Sequence, residues 1–133
     1  MKTIVLDTSA LLRLFVPDGP LPAGLEDAIA AAARSEAVLL LPETALAEAA
    51  QVLLKKHRAG FLSLGDASEI LEAILDLPLE TVPDRSLVAE ALVLAAAHKL
   101  TVYDSLFLTL AQRRNADLLT ADLDLKKAFK KRR

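Results

Sequence analysis

Short unbroken apolar runs take turns along this chain with longer stretches in which apolar residues recur every three or four positions. The runs at 3–6, 38–41 and 117–120 are too short for helices and predict buried strands. A fourth, at 79–82, lies between Pro78 and Pro83 and predicts a short strand at a sheet edge. Helical spacing predicts helices at 10–15, 25–34, 44–58, 63–75, 86–98, 104–114 and 124–129. On the third, Leu46, Ala49, Ala50, Leu53 and Leu54 share a side, and Gly60 is placed to end the helix. On the fifth, Leu87, Ala91, Leu94 and Ala95 face inward. Residues 17–20, Pro-Asp-Gly-Pro, form a loop. Residues 100–103 favour a strand by composition but run straight into the next helix, and are read as a loop.

Strands alternating with helices imply a parallel sheet covered on both faces and joined by right-handed crossovers. Ligands of such sheets bind outside the carboxyl ends of the strands, where the winding reverses. If the 3–6 and 117–120 strands are neighbours at that reversal, Asp7 and Asp122, each just past a strand end, face one crevice. Glu48 and Asp104 would then reach it from flanking helices.

Composition narrows the class. With 133 residues and 53% hydrophobic content, the chain is expected to form one domain, 1–133, that buries roughly two thirds of its unfolded surface. The longest apolar run, 91–97, is too short for a membrane span, and after Met-Lys-Thr only three apolar residues precede Asp7. A soluble, unprocessed, cytoplasmic protein with no membrane partner is therefore expected. There is no cysteine, so a metal would be held by oxygen or histidine. The two histidines, His57 and His98, fall near predicted helix ends and read as capping or surface residues.

The net charge of −2 conceals an asymmetry. Lys126, Lys127, Lys130, Lys131, Arg132 and Arg133 form a basic tail at 126–133, and the remaining body carries −8. That body repels nucleic acid unless cations neutralise its acids and the tail supplies attraction. The tail reads equally well as a solvated helix end. A second basic cluster, Lys55-Lys56-His57-Arg58, closes a long helix and has the same two readings, of which the helix end is preferred.

Asp7, Glu48, Asp104 and Asp122 are the candidate chemistry. Two unit negative charges about 4 Å apart repel by roughly 4 kcal/mol at an effective dielectric near 20, so four gathered acids need a cation. Mg²⁺ or Mn²⁺ would favour all four ionised forms. Each acid also has a plainer reading. Asp7 and Asp104 could be helix N-caps, Asp122 a turn or cap residue, and Glu48 could point to solvent.

The local strings go further. VLDTSALL at 5–12, LAEAAQVLLKK at 46–56 and YDSLFLTLAQRRNADLLTADLDL at 103–125 resemble the motifs of PIN-domain proteins, in order and spacing. Compact chains of this length resemble the VapC-type toxins of that family. The resemblance implies an α/β/α sandwich with a short central parallel sheet of four strands, or five where a further strand follows the last helix. It also implies Mg²⁺- or Mn²⁺-dependent ribonuclease activity, a homodimer, and inhibition by a small VapB-type antitoxin protein. By matching position, Asp7, Glu48, Asp104 and Asp122 would be the metal-binding, catalytic acids. Ser9 and Thr120 match nearby hydroxyl positions, and Asp124 a less regular additional acid. Glu43 falls outside the motif and is read as a surface residue at a helix start. The chain ends soon after Phe129 in KKRR, which puts the fifth strand in doubt.

The leading expectation is thus a toxin endoribonuclease in which a metal-activated water attacks an RNA phosphodiester in line, without a histidine or serine nucleophile. Tyr103 is assigned to packing beside Val102 rather than to base stacking. Two alternatives are a PIN nuclease of RNA processing without a toxin role and a non-catalytic PIN-like scaffold. A phosphoacceptor signalling domain would want an acidic pair at the first strand and a late lysine, and a related phosphatase would want Asp-x-Asp there. The chain has neither.

Overall fold

The computed structural model describes residues 1–131. Strands β1 (Lys2–Leu6), β2 (Ala37–Pro42), β3 (Leu79–Val82) and β4 (Asp117–Leu119) form one parallel sheet in the order β3-β2-β1-β4. Register is set by pairs such as Ile4 with Leu39, Val5 with Leu118 and Leu41 with Thr81. The two central strands are the most apolar because both of their faces are covered. β3 lies at an edge, as its flanking prolines predict.

Helices α1 (Thr8–Arg13) and α2 (Leu25–Ala33) join β1 to β2, and α3 (Ala45–Arg58) and α4 (Leu64–Leu75) join β2 to β3. After a 3-10 turn at Asp84–Ser86, α5 (Val88–His98) and α6 (Val102–Arg114) carry the chain back to β4, and α7 (Leu123–Lys131) follows. Right-handed crossovers that first step outward from β1 and then return across it place the first four helices on one face and α5 and α6 on the other. The result is the three-layer α/β/α sandwich expected, with a four-stranded sheet among the described residues.

The core is centred on α6, whose residues 105–111 are all buried and which packs on β1, β2 and β4. Phe107, beneath the carboxyl edge of the sheet, is nearly inaccessible. Phe107→Ala is expected to lower the unfolding free energy by about 3–5 kcal/mol, measured by urea denaturation; a loss below about 1 kcal/mol would place the side chain outside the cooperative core.

Two boundaries differ from expectation. Residues 100–103 are only half a loop, because α6 begins at Val102. The Thr101 hydroxyl accepts the Asp104 backbone N–H at 3.1 Å, and this cap extends the helix backward over two strand-favouring residues. The helix expected at 86–98 splits into a 3-10 turn and α5, with the Ser86 hydroxyl turned back onto the Pro83 carbonyl at 2.8 Å. Tyr103 does not pack as expected: it is 63% exposed, since the added helical turn swings it off the core.

Among the described residues no single helix is long and apolar enough to cross a membrane; α5 and α6 meet that test only as a pair bent by 110°.

Candidate active site at the carboxyl edge of the sheet

In parallel crossovers, the helix that follows a strand begins at that strand's carboxyl end. Asp7, Glu48 and Asp122 use this rule, and Asp104 reaches the same edge from α6, which follows α5 and runs toward the start of β4. Asp7 is the N-cap of α1, and Glu48 and Asp104 lie in the first turns of α3 and α6. Asp122 precedes α7 and accepts the Leu125 N–H at 3.0 Å. Four helix N-termini, each with the positive end of its peptide dipoles outward, therefore meet where the strands end. Pairing of β1 with β4 brings Asp7 and Asp122 together at the point where strand order reverses.

The acids line one cleft of about 450 Å³, together with Thr8, Ser9, Gln51 and Phe107. Asp7 is its floor and is only 5% exposed. Its Oδ1 accepts from Ser9 Oγ at 2.7 Å and from the Ala10 N–H at 2.9 Å, and its Oδ2 accepts from the Thr120 hydroxyl. Ser9 Oγ in turn accepts the Ala121 N–H at 3.0 Å, and Thr120 Oγ1 accepts the Asp122 N–H at 2.9 Å. Both hydroxyl residues thus tie the end of β1 to the end of β4 through Asp7. Asp7 and Asp122 both cap the helices that follow them, and both also line the cleft.

Glu48 does not point freely to solvent. It is half-buried, and among the described residues neither its Oε1 nor the Thr8 hydroxyl in the same cleft has a hydrogen-bond partner. Asp104 is not an N-cap, since Thr101 holds that place. Burial raises the pKa of Asp7 above its ordinary value despite its hydrogen bonds, with repulsion from Asp122 adding to it. Burial, then repulsion from Asp104 and Asp7, pushes Glu48 up to about 7. Asp104 is raised by burial first and by Asp122 second. Asp7, Glu48 and Asp104 are thus destabilised as anions, by burial first and by neighbouring acids second, as in a site lacking positive charge.

The donor set fits a hard divalent cation in kind: carboxylates, hydroxyls and no sulfur, with a buried Glu48 oxygen left unpartnered. In geometry the fit is looser. Among the described residues no three acidic or histidine side chains lie close enough to share one ion in this arrangement. The repulsions act across the cleft, at longer range than ligation.

The other candidates fall outside this cleft. Asp124 is exposed on the first turn of α7 and lines a separate hollow with His98, Lys99, Lys127 and Lys131, although its charge still reaches Asp104. Lys126, Lys127, Lys130 and Lys131 lie on α7, and none lines the acidic cleft; Arg132 and Arg133 lie outside the described residues. His57 binds the Leu62 carbonyl at 2.9 Å and closes the turn after α3. Glu43 is exposed and accepts the Asp84 N–H at 3.2 Å. Arg13, missed in the sequence, lines the cleft, and so do Lys55 and Lys56 of the second basic cluster, for which the sequence favours a helix end. Glu48, Gln51, Val52 and Lys55 follow helical-face spacing, so the pattern was available once Glu48 was placed in the site.

The sheet order, the reversal at β1 and β4 and the acids at the carboxyl edge define this chain as a member of the PIN-domain family, whose profile matches residues 4–131. It is 31% identical to ribonuclease VapC3 of Pyrobaculum aerophilum, over 95% of this chain and 94% of that protein. The crystal structure of PAE2754 from Pyrobaculum aerophilum superposes with a TM-score of 0.73 at 26% identity, covering 97% of this chain and 87% of that one.

Proposed function

We propose that this protein is a Mg²⁺- or Mn²⁺-dependent endoribonuclease, the toxin of a VapBC-type pair, held in check by a small VapB-type antitoxin and acting as a cytoplasmic homodimer. The observation that carries the catalytic part is the gathering of four acids from four helix N-termini around one cleft, with Asp7, Glu48 and Asp104 destabilised as anions there. Likeness to a ribonuclease over nearly the whole chain supports RNA as the substrate and a toxin role.

In this reading Asp7, Glu48, Asp104 and Asp122 hold the cation. When bound, it would supply Lewis-acid polarisation and offset the charge that accumulates as a phosphodiester is attacked by water. The chain's own groups do the rest. Ser9 and Thr120 hold the Asp7 carboxylate by donating to it, which leaves its orientation independent of ligand. Glu48, whose pKa burial and the neighbouring acids push up to about 7, would be held in its ionised form by a bound cation. Asp104 and Asp122 face it across the cleft and keep the site receptive to positive charge.

Purified protein incubated with a structured RNA is expected to cleave it in Mg²⁺ or Mn²⁺ and to stop on addition of EDTA. Cleavage that survives full chelation would sink the metal-nuclease reading.

A further inference from the structure

The cleft is polarised along its length. Asp7 and Arg13 stand at opposite ends of α1, about 9 Å apart along the axis at 1.5 Å per residue. Glu48 and Lys55 lie on one face of α3, about 10 Å apart by the same rise. The two helices pack on each other, and both begin at the carboxyl edge of the sheet. Both therefore set an acid at the end where cleavage is proposed and a base at the far end of the same cleft.

The bases there differ in commitment. Arg13 donates through Nη1 to the Pro20 carbonyl at 3.1 Å, which leaves most of its guanidinium donors unused. Gly19 permits this, because a Cβ there would collide with the guanidinium. Lys55 is exposed, and among the described residues neither it nor Arg13 has an ion-pair partner. Lys56 is taken: its Nζ lies 2.6 Å from Asp18, which lines the cleft beside it. The separation from the acids, about 10 Å, exceeds the roughly 3.4 Å of axis per phosphate in a strand stacked as in duplex DNA. The basic end thus meets a neighbour of the phosphate under attack.

We propose that Arg13 and Lys55 seat a flanking phosphate of the RNA strand, and that Asp18 occupies Lys56 in place of a further phosphate until RNA displaces it. This rests on the nuclease reading above and adds the polarity of the bound strand. A cation at one end and two free bases at the other also answer how a body of −8 holds a polyanion without the C-terminal tail. Asp18 then acts as a built-in competitor that lowers affinity for short or weakly charged ligands.

The test is binding without turnover: fluorescence anisotropy of a labelled single-stranded RNA, in EDTA and again in Ca²⁺, across a salt series. Arg13→Gln, which keeps a donor for the Pro20 carbonyl, and Lys55→Ala are each expected to weaken binding about three- to thirtyfold and to flatten the salt slope by about 0.7. Asp18→Asn is expected to tighten binding and steepen the slope, because it frees Lys56. Arg34→Ala, a charge loss at the end of α2, should bind as the wild type does. Unchanged affinity in both Arg13→Gln and Lys55→Ala overturns the phosphate seat, and weaker binding by Asp18→Asn overturns the competitor role. Either result with EDTA-sensitive cleavage intact leaves the nuclease reading standing. Loss of binding in both base variants of a protein that never cleaves RNA supports the seat and removes the nuclease.

Discussion

Asp104→Asn is expected to reduce metal-dependent RNA cleavage by roughly a thousandfold, as loss of one cation ligand removes several kcal/mol of transition-state stabilisation, while leaving the fold intact. The separation of activity from stability follows from the cap. Thr101, not Asp104, satisfies the start of α6, so the Asp104 carboxylate has no structural duty that an amide fails to meet. Removing its charge also relieves repulsion on Glu48, and the cation-free protein should melt at the same temperature or higher. Asp7→Ala is the contrast. It strips the cap of α1 and leaves the Ser9 and Thr120 hydroxyls without their acceptor, so activity and stability should fall together. Thermal melts beside single-turnover cleavage decide between them; an Asp104→Asn protein that is inactive because it is unfolded would contradict the assignment, as would one that cleaves normally.

Stability of the cation-free protein is expected to fall as pH rises from the ordinary carboxylate range to above 7. Glu48 is raised to about 7 from 4.5, and Asp7 and Asp104 move the same way. An acid whose folded pKa exceeds its unfolded value holds more protons folded than unfolded between the two. Its contribution is therefore fully present below the unfolded value and lost as pH passes the folded one. In EDTA the melting temperature should be higher near about pH 5 than near about pH 8. Glu48→Gln should flatten the curve, because the amide carries no charge to be repelled. Saturating Mg²⁺ should restore stability chiefly on the alkaline side, where the acids are ionised and bind it. A melting temperature that rises steadily with pH in EDTA would show that the cleft does not repel its own charge.

Much of the fold was legible because its signals are local. Pro78 and Pro83 confine β3 to four residues at an edge, and Gly60, with a positive φ of 85°, ends the turn after α3. The errors were local too, but arose where two propensities compete. Val102 and Tyr103 favour strand, and a single hydroxyl at Thr101 overrode them by capping a helix. Of the separate readings of Asp7 and Asp122, the structure shows the capping one, and it leaves both carboxylates lining the cleft. For Lys55 and Lys56 the helix-end reading was sound and incomplete. A helix C-terminus is where bases belong, yet whether that end opens on a cleft depends on α1 and the 17–20 loop packed beside it.

By itself the sequence determined the identity and order of the elements, the covered parallel sheet and which acids stand at strand ends and helix starts, because apolar period, caps and breakers act over a few residues. Only the tertiary structure decided that β4 pairs with β1, that Glu48 turns an unpartnered oxygen into the cleft while Asp124 lies outside it, and that Arg13 and Lys55 share that cleft with the acids. Those outcomes depend on strand order and helix packing between residues far apart in the chain, and on the desolvation that follows.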